Sequence, residues 1–332
     1  MEIHISYGVG SALLVPLFRA MRRPLAAERA KYESCAFLFI PSLGDSEIAK
    51  FHTLSTHEMQ WSSANPGLLI IMVDQSGSML KPYESGDSKT VFATKAVNRV
   101  IDTIIDKNYD GDQPKNRCFI TVIGYNHDVK KVASGFLKDL NSNPLRVDTI
   151  KKKISDGAGG LVEVDYKMPV WIEPITEDGA TNMKGAFELA KTIIEQWIKD
   201  KPDNPAPILI NISDGVPYYE GKFVKDCMNE TIEVAKEIKN LSVADGNPLI
   251  FNAMIHKAGQ KLEFPKSEAE CSNDESKFLF EISSELPETY INLGHIKGLN
   301  VQEGSRGCIF EADEVQLINL IDFGSSKAQR DR

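Results

Sequence analysis

Four predominantly apolar runs constrain the fold of this 332-residue chain more than any other feature of its sequence. Each run is rich in Val, Ile and Leu and has the length of a single strand; they cover residues 68–73, 118–125, 207–212 and 249–255. A strand that is apolar on both faces is typical of a parallel sheet covered by helices on each side, because a solvent-facing side would alternate with polar residues. A less apolar run at 129–133 predicts one antiparallel edge strand.

Segments between these runs have apolar residues at helical spacing. The pattern predicts helices over 88–106, from Thr181 onward, and over 222–239, 275–284 and 315–323. Strands that alternate with amphipathic helices indicate an α/β fold with a doubly wound, mostly parallel central sheet and helices on both faces. Ligands of such sheets bind outside the carboxyl ends of the strands.

The same patterns predict the domain organisation. Residues 1–65 form an extension of uncertain structure, 66–323 form the sheet domain, and 324–332 form a C-terminal tail. Residues 136–172 are expected to be an irregular insertion in the domain. Within the extension, a basic stretch at 18–32 suggests either a short helix for a membrane surface or nucleic acid, or a segment that packs on the domain or is partly disordered.

Charge and cysteine usage exclude several classes of protein. The formal net charge is −9, from 38 Lys and Arg against 47 Asp and Glu, which does not suit general nucleic-acid binding. No stretch reaches the roughly 18 apolar residues that a membrane-spanning helix needs. The five cysteines include no C-x-x-C pair, so we expect free buried thiols and a cytoplasmic location.

Polar residues at three strand or helix ends form the strongest functional pattern. They are Asp74, Ser76 and Ser78 after the first apolar run, Thr181 at a helix start and Asp214 after the third run. Carboxylates and hydroxyls are hard oxygen ligands of the kind that Mg²⁺ or Mn²⁺ prefers. Each residue alone could instead be a helix cap or a turn residue, but the joint placement predicts a metal site.

These residues resemble the metal-ion-dependent adhesion site of von Willebrand factor type A domains. The matching motifs are Asp-Gln-Ser-Gly-Ser at 74–78, Asp-Gly-Ala-Thr-Asn-Met at 178–183 and Ser-Asp-Gly at 213–215, and the resemblance covers about residues 66–323. It implies that Ser76 and Ser78 bind the ion directly, Thr181 directly or through water, and Asp74 and Asp214 mostly through water. The chain is similar to cytosolic bacterial members associated with tellurite resistance, which accompany a kinase and a phosphatase.

Three tyrosines near the motifs are candidate rim residues of a binding surface: Tyr83, Tyr218 and Tyr219. Local packing of the loops is the alternative interpretation for each.

The resemblance implies a non-enzymatic, Mg²⁺-dependent protein-binding module, whose ion is completed by a Glu or Asp of the partner. A role beside a kinase and phosphatase in bacterial stress or defence would follow. The alternative is a subunit of an ATPase or metal-chelatase machine; without a G-x-x-x-x-G-K-[ST] loop in this chain, its ATPase would be a separate protein. A metal-dependent hydrolase is a third hypothesis, against which stands the lack of a candidate general base beside Thr181.

Overall fold

The computed structural model of the chain describes residues 57–83, 86–155, 160–175, 177–219, 221–255 and 261–328. The strands of this part of the chain are β1 (Gly67–Asp74), β2 (Tyr109–Asp110), β3 (Gln113–Pro114), β4 (Cys118–Tyr125), β5 (Val129–Phe136), β6 (Arg146–Ser155), β7 (Leu161–Val170), β8 (Ile208–Ser213), β9 (Leu249–Met254), β10 (Leu262–Glu263) and β11 (Cys308–Phe310).

One seven-stranded sheet organises these elements, in the order β10-β11-β9-β8-β1-β4-β5. Strands β11, β9, β8, β1 and β4 run parallel, and β10 and β5 pair antiparallel at the two edges. The predicted mostly parallel sheet is thus confirmed. An antiparallel strand lies at each edge rather than at one, because the two-residue β10 is too short to leave a pattern in the sequence.

Helices cover both faces of the sheet, as the alternation of patterns predicts. They are α1 (Lys89–Lys107), α2 (Leu137–Ser142), α3 (Met183–Asp200), α4 (Val224–Asn240), α5 (Asp274–Ile282), α6 (Glu288–Ile296) and α7 (Glu314–Gly324). Helices α1, α6 and α7 pack on one face, and α3, α4 and α5 pack on the other.

Strand β1 lies inside the sheet and shows why its sequence is apolar throughout. The side chains at 68, 70 and 72 face α3, whereas those at 69, 71 and 73 face α1, and all six are fully buried. Because successive strand residues point to opposite faces, a strand between two helix layers needs apolar side chains at every position. This burial holds Asp74, the last residue of β1, at a fixed place on the sheet edge.

The segment predicted to be irregular contains regular structure. Helix α2 is followed by a hairpin in which β6 pairs with β7 along ten residues of each strand. Most hairpin side chains are exposed, and the exposed ones include Val147 and Leu161. In β7, apolar and polar residues alternate over 162–168 and the apolar residues from Val164 onward are half-buried, so this strand carries a pattern that the prediction of an irregular insertion missed.

The last residues of the predicted N-terminal extension pack on the domain. Trp61 is buried, and its ring lies so close to Gly67 that a Cβ atom there would come within 2.0 Å of it. The Met59 amide donates a hydrogen bond of 2.8 Å to Asp245 Oδ1. Packing against the sheet domain therefore begins before residue 66. Residues 1–56, with the basic stretch, lie outside the described residues.

The structure also bears on the predictions of buried free thiols and of no membrane-spanning helix. Cys118, Cys227, Cys271 and Cys308 are buried free thiols, and Cys35 lies outside the described residues. No helix in the described part of the chain is both long and apolar enough to cross a membrane.

Candidate metal centre

Three loops at the carboxyl edge of the sheet carry the residues predicted to bind a metal. The first loop (74–80) follows β1, the second loop (177–182) leads into α3, and the third loop (213–219) follows β8. Strands β1 and β8 are hydrogen-bonded neighbours, so the first and third loops start side by side. We call the five predicted ligands the metal centre: Asp74, Ser76, Ser78, Thr181 and Asp214.

The first loop brings three of these side chains together. The Ser76 amide donates a hydrogen bond of 2.8 Å to Asp74 Oδ1, and this bond closes a turn directly after the strand. The hydroxyl oxygens of Ser76 and Ser78 are 3.0 Å apart. Asp74 and Ser76 are almost completely buried. The turn therefore aims one carboxylate and two hydroxyls into a small volume.

Helix capping does not account for the hydroxyl residues. Ser76 precedes a short 3₁₀ helix at Gly77–Leu80 but makes no side-chain cap bond, and the cap of α1 is Ser88. The cap of α3 is Asn182, whose side chain accepts a hydrogen bond of 3.0 Å from the Gly185 amide. Thr181 thus lies one residue before the cap. Of the five predicted ligands, only Asp74 accepts a turn hydrogen bond through its side chain, from the Ser76 amide to Oδ1.

Gly77 joins the first loop to the second loop. Its amide donates a hydrogen bond of 2.9 Å to the Gly179 carbonyl. A Cβ atom at residue 77 would lie 1.4 Å from Asp178 Oδ1, and that oxygen is itself held by the Gly179 amide at 2.8 Å. Glycine at this position leaves room for the Asp178 side chain, which a larger residue would displace. The backbone hydrogen bond from Gly77 then holds the loop before Thr181 alongside the first loop.

Backbone pairing joins the second loop to the third loop. The Thr181 amide donates to the Tyr218 carbonyl at 2.7 Å, and the Tyr218 amide donates back at 3.0 Å. After Asp214 the chain turns at Gly215, whose φ of 93° is in the left-handed region that favours glycine. Together with the contact at Gly77, this pairing makes the three loops one connected unit.

A row of buried polar side chains supports the strand ends beneath the loops. Tyr125, opposite Asp74 in the β1–β4 register, donates its hydroxyl to Asn211 Oδ1 at 2.8 Å. The Asn211 amide nitrogen then donates to Asn252 Oδ1 at 3.0 Å. These bonds link β4, β8 and β9 inside the core, where the polar groups would be costly if left unpaired.

Electrostatic repulsion acts inside the metal centre. Burial, and after it the nearby Asp214 carboxylate, raises the pKa of Asp74 to about 7 against the lowering effect of Ser76 and Lys89. The Lys89 ammonium lies 3.2 Å from Asp214 Oδ2, and both side chains are nearly buried. The single positive charge of Lys89 therefore lies close to two nearly buried carboxylates, Asp74 and Asp214, and cannot neutralise both.

Two buried carboxylate oxygens lack any partner. Asp74 Oδ2 and Asp214 Oδ1 have no hydrogen-bond donor among the described residues. Buried polar atoms are nearly always hydrogen-bonded, so two orphaned anionic oxygens in one cluster call for a positively charged ligand. The donor set of carboxylates and hydroxyls suits a hard divalent cation such as Mg²⁺ or Mn²⁺. The residues present thus fit the ion that the sequence predicts.

The metal centre contains only two side chains, both aspartates, of the types that bind metals most often in proteins, and its other three predicted ligands are hydroxyls. Among the described residues, no group of three or more His, Cys, Asp or Glu side chains could hold an ion. Here two carboxylates act with hydroxyl groups instead. The metal-ligand role of the five residues stays a prediction.

Burial separates the three predicted rim tyrosines. Tyr218 is 49% exposed, as a rim residue should be. Tyr219 is buried and donates its hydroxyl to Glu230 Oε2 at 2.7 Å, and Tyr83 is buried and donates to the Ala312 carbonyl at 3.1 Å. These two rings pack the loops against the helices and do not face a partner. Of the three, only Tyr218 fits the predicted rim.

Sequence reasoning missed Lys89 and Asp178. Lys89 belongs to the first turn of α1, where a lysine looks like an ordinary solvated helix residue. Asp178 lies against Gly77 through a contact between two distant loops. A weak signal existed for Lys89, since a cation at a helix N-terminus opposes the helix dipole.

Comparisons with known proteins give structural similarity alone. No protein-family model and no curated protein matches the sequence. The PilB minor pilin of Streptococcus sanguinis superposes with a TM-score of 0.42 at 10% identity, over 80% of this chain and 62% of that one. Manganese-loaded TRAP of Plasmodium vivax gives 0.34 at 13% identity, over 77% and 72%.

The von Willebrand factor domain of the pili tip protein Mfa5 from Porphyromonas gingivalis gives a TM-score of 0.27 at 15% identity. That match covers 46% of this chain and 39% of the Mfa5 chain, so the chain spans well under two thirds of that structure. Because these TM-scores lie below 0.5, the fold assignment rests on the chain's own sheet. Its strand order, antiparallel edges and covering helices define an α/β fold with a mostly parallel central sheet.

Proposed function

We propose that the chain is a protein-binding module whose metal centre holds Mg²⁺ or Mn²⁺ and presents it to an acidic residue of a partner. The observation that carries the proposal is the pair of buried oxygens without a partner, Asp74 Oδ2 and Asp214 Oδ1. A divalent ion between these groups would replace their repulsion by attraction. When bound, the ion supplies a concentrated positive charge at the edge of the sheet.

The ligand set supports a site that a partner completes. Mg²⁺ and Mn²⁺ prefer six oxygen ligands, and the metal centre offers two carboxylates and three hydroxyls. A coordination position therefore remains for water or for an oxygen of a partner. Glu and Asp are the side chains that fill it with a negative charge, and the exposed Tyr218 ring beside the loops offers contact area.

Binding rather than catalysis is the role we propose. The charged side chains that meet in the centre are Asp74, Asp214 and Lys89. In this proposal the ion occupies both carboxylates, so neither is left to remove a proton from water or from a substrate. Lys89 is held by Asp214 and stabilises charge in the same cluster.

The resemblance to tellurite-resistance-associated proteins carries a further part of the proposal. It would place the partner in the cytoplasm, in a stress or defence system with a kinase and a phosphatase. Co-purification of the tagged full-length chain from its native host, in Mg²⁺ and in EDTA, tests that part separately.

The metal-dependent function is tested with the full-length chain and a random peptide library displayed on phage. Peptides are captured in Mn²⁺ or Mg²⁺ and eluted with EDTA, and calorimetry measures ion binding in parallel. We expect the chain to bind the ion and to enrich peptides that share one Glu or Asp. Replacing that acidic residue by Gln or Asn should abolish capture.

A double variant, Ser76→Ala with Ser78→Ala, provides the matched site control. It deletes two hydroxyl ligands but keeps the turn, because the turn uses the Ser76 amide and not its side chain. We expect loss of both ion binding and peptide capture. Peptide capture that persists in EDTA and in the double variant would contradict the proposal.

A further inference from the structure

Lys89 occupies an unfavourable place. It is the first residue of α1, where its charge opposes the helix dipole. Its side chain is also nearly buried, and a buried ammonium loses its hydration. The compensating contact in the structure is with the metal centre, at 3.2 Å from Asp214 Oδ2. The lysine is therefore tied to the charge balance of that centre.

The charges of the centre can be counted from the groups that the structure buries there. When both carboxylates are ionised, Asp74, Asp214 and Lys89 together carry one negative charge. A bound divalent ion changes this to one positive charge. Asp178, beside Gly77, is exposed, so water screens its charge from the buried groups. The ion-loaded centre is thus left with an excess of one positive charge.

A carboxylate from a ligand would cancel this excess. Without Lys89, the ion alone would neutralise the two aspartates, and an arriving carboxylate would make the centre negative. The lysine therefore weakens binding of the ion alone and strengthens binding of an acidic ligand to the loaded centre. Both effects act over short distances in a site with little water, where charge interactions are strong.

We infer that Lys89 tunes the metal centre for acidic ligands: it weakens binding of the ion alone and tightens binding of a carboxylate to the ion-loaded centre. This inference rests on the proposed function and adds a mechanism for choosing acidic partners. Coupling of two ligands is reciprocal: the factor by which a carboxylate raises the affinity for the ion equals the factor by which the ion raises the affinity for the carboxylate.

The test measures Mn²⁺ binding to the full-length chain by calorimetry and by the electron paramagnetic resonance signal of free Mn²⁺. Titrations are run in chloride and in acetate at equal ionic strength, with free Mn²⁺ corrected for its association with acetate. We expect acetate to tighten Mn²⁺ binding by the wild-type chain. Lys89→Met should bind Mn²⁺ in chloride about tenfold more tightly, equivalent to about 1.4 kcal/mol, and should lose most of the acetate effect.

Two further variants separate charge from shape. Lys95→Met removes an exposed lysine of the same helix that pairs with Asp87, and it should behave as the wild type does. Lys89→Arg keeps the charge and should keep the acetate effect. If Lys89→Met does not fold, the wild-type chain and Lys89→Arg still decide the inference, because the absence of an acetate effect in both overturns it.

The possible failures are distinguishable. Equal Mn²⁺ affinity of the wild type and Lys89→Met, with equal acetate effects, overturns the role of Lys89 and leaves the metal-dependent function intact. A gain in Lys95→Met as large as that in Lys89→Met also overturns it, since net charge alone would then explain the result. Absence of Mn²⁺ binding in every variant overturns the proposed function, and the inference with it.

Discussion

Two lysine–aspartate pairs in this molecule have the same chemistry in opposite surroundings. In the hairpin of β6 and β7, Lys151 Nζ lies 2.6 Å from Asp165 Oδ1, with both side chains more than half exposed. At the metal centre, Lys89 pairs with Asp214 at 3.2 Å, with both side chains nearly buried. The exposed pair is solvated, whereas the buried pair leaves one oxygen of Asp214 without a partner.

The difference shows where electrostatic free energy is available for function. Water already stabilises the charges of the exposed pair, so breaking or forming it changes little. Charges in the buried cluster interact strongly and incompletely cancel, so a ligand that completes the balance gains a large free energy. Charged residues alone therefore do not mark a site; charged residues that are buried and incompletely paired do.

The largest expected effect is the loss of metal binding on Asp74→Asn. The amide keeps an oxygen for the Ser76 turn but removes the charge that attracts the ion. We expect affinity for Mn²⁺ to fall at least a thousandfold, or about 4 kcal/mol, as measured by calorimetry. The matched control is Asp165→Asn in the exposed pair, which should leave the affinity unchanged. Similar losses in both variants would show that burial does not distinguish the two regions.

A second effect is the pH dependence of stability without metal. The pKa of Asp74 is raised from 3.8 to about 7, chiefly by burial and then by Asp214, so the folded state binds a proton more tightly than the unfolded state does. Stability from this group is complete below about pH 4 and is lost as the pH rises through 7. In EDTA, we expect the free energy of unfolding to decrease by about 2–4 kcal/mol across that range relative to Asp74→Asn.

Urea unfolding of the wild type and Asp74→Asn at several pH values, in EDTA, measures this difference. Adding Mg²⁺ should stabilise the wild type more at pH 8 than at pH 6, because the ion competes with the proton for the same carboxylate. A wild-type curve parallel to that of Asp74→Asn would refute the assignment of a raised pKa to Asp74. Asp165→Asn keeps Asp74 and should therefore show the same pH dependence as the wild type.

The contrast between the buried sheet and the exposed hairpin also explains which features could be predicted from the sequence. The sheet was predictable because burial on both faces makes a strand apolar at every position, as in β1. The meeting of the first and third loops was predictable because each follows a strand, and neighbouring parallel strands bring their carboxyl ends to one edge. The hairpin was missed although apolar and polar residues alternate in β7 over 162–168, because its partner β6 has three consecutive lysines at 151–153 in place of such an alternation.

Contacts between distant segments set the remaining limit. Tyr218 and Tyr219 are adjacent in the sequence, yet one is exposed and the other is buried against Glu230. Their order along the loop gives no indication of which ring faces solvent. Lys89 gives little indication of its role either, since its partner Asp214 is 125 residues away.

These adjacent tyrosines give a third prediction. Tyr219→Ala should lower the free energy of unfolding by about 2–3 kcal/mol, because it removes a buried ring and the hydrogen bond to Glu230. Tyr218→Ala should change stability by less than about 0.5 kcal/mol. If the ring contacts a partner, Tyr218→Ala should weaken capture of the selected acidic peptide by about 1–3 kcal/mol. Urea unfolding and peptide titration in Mn²⁺ separate the two roles.

The smallest expected effect belongs to the exposed pair itself. Lys151 and Asp165 lie opposite each other in the β6–β7 register, and their charges remain in contact with water. A double-mutant cycle with Lys151→Ala and Asp165→Ala, measured by urea unfolding, should give a coupling of about 0.5 kcal/mol that decreases in high salt. Every variant of the cycle should bind Mn²⁺ as the wild type does. A coupling above about 2 kcal/mol would mean that the hairpin pair is shielded from water in solution, for example by a partner or a second copy of the chain, and the contrast with Lys89 and Asp214 would then no longer hold.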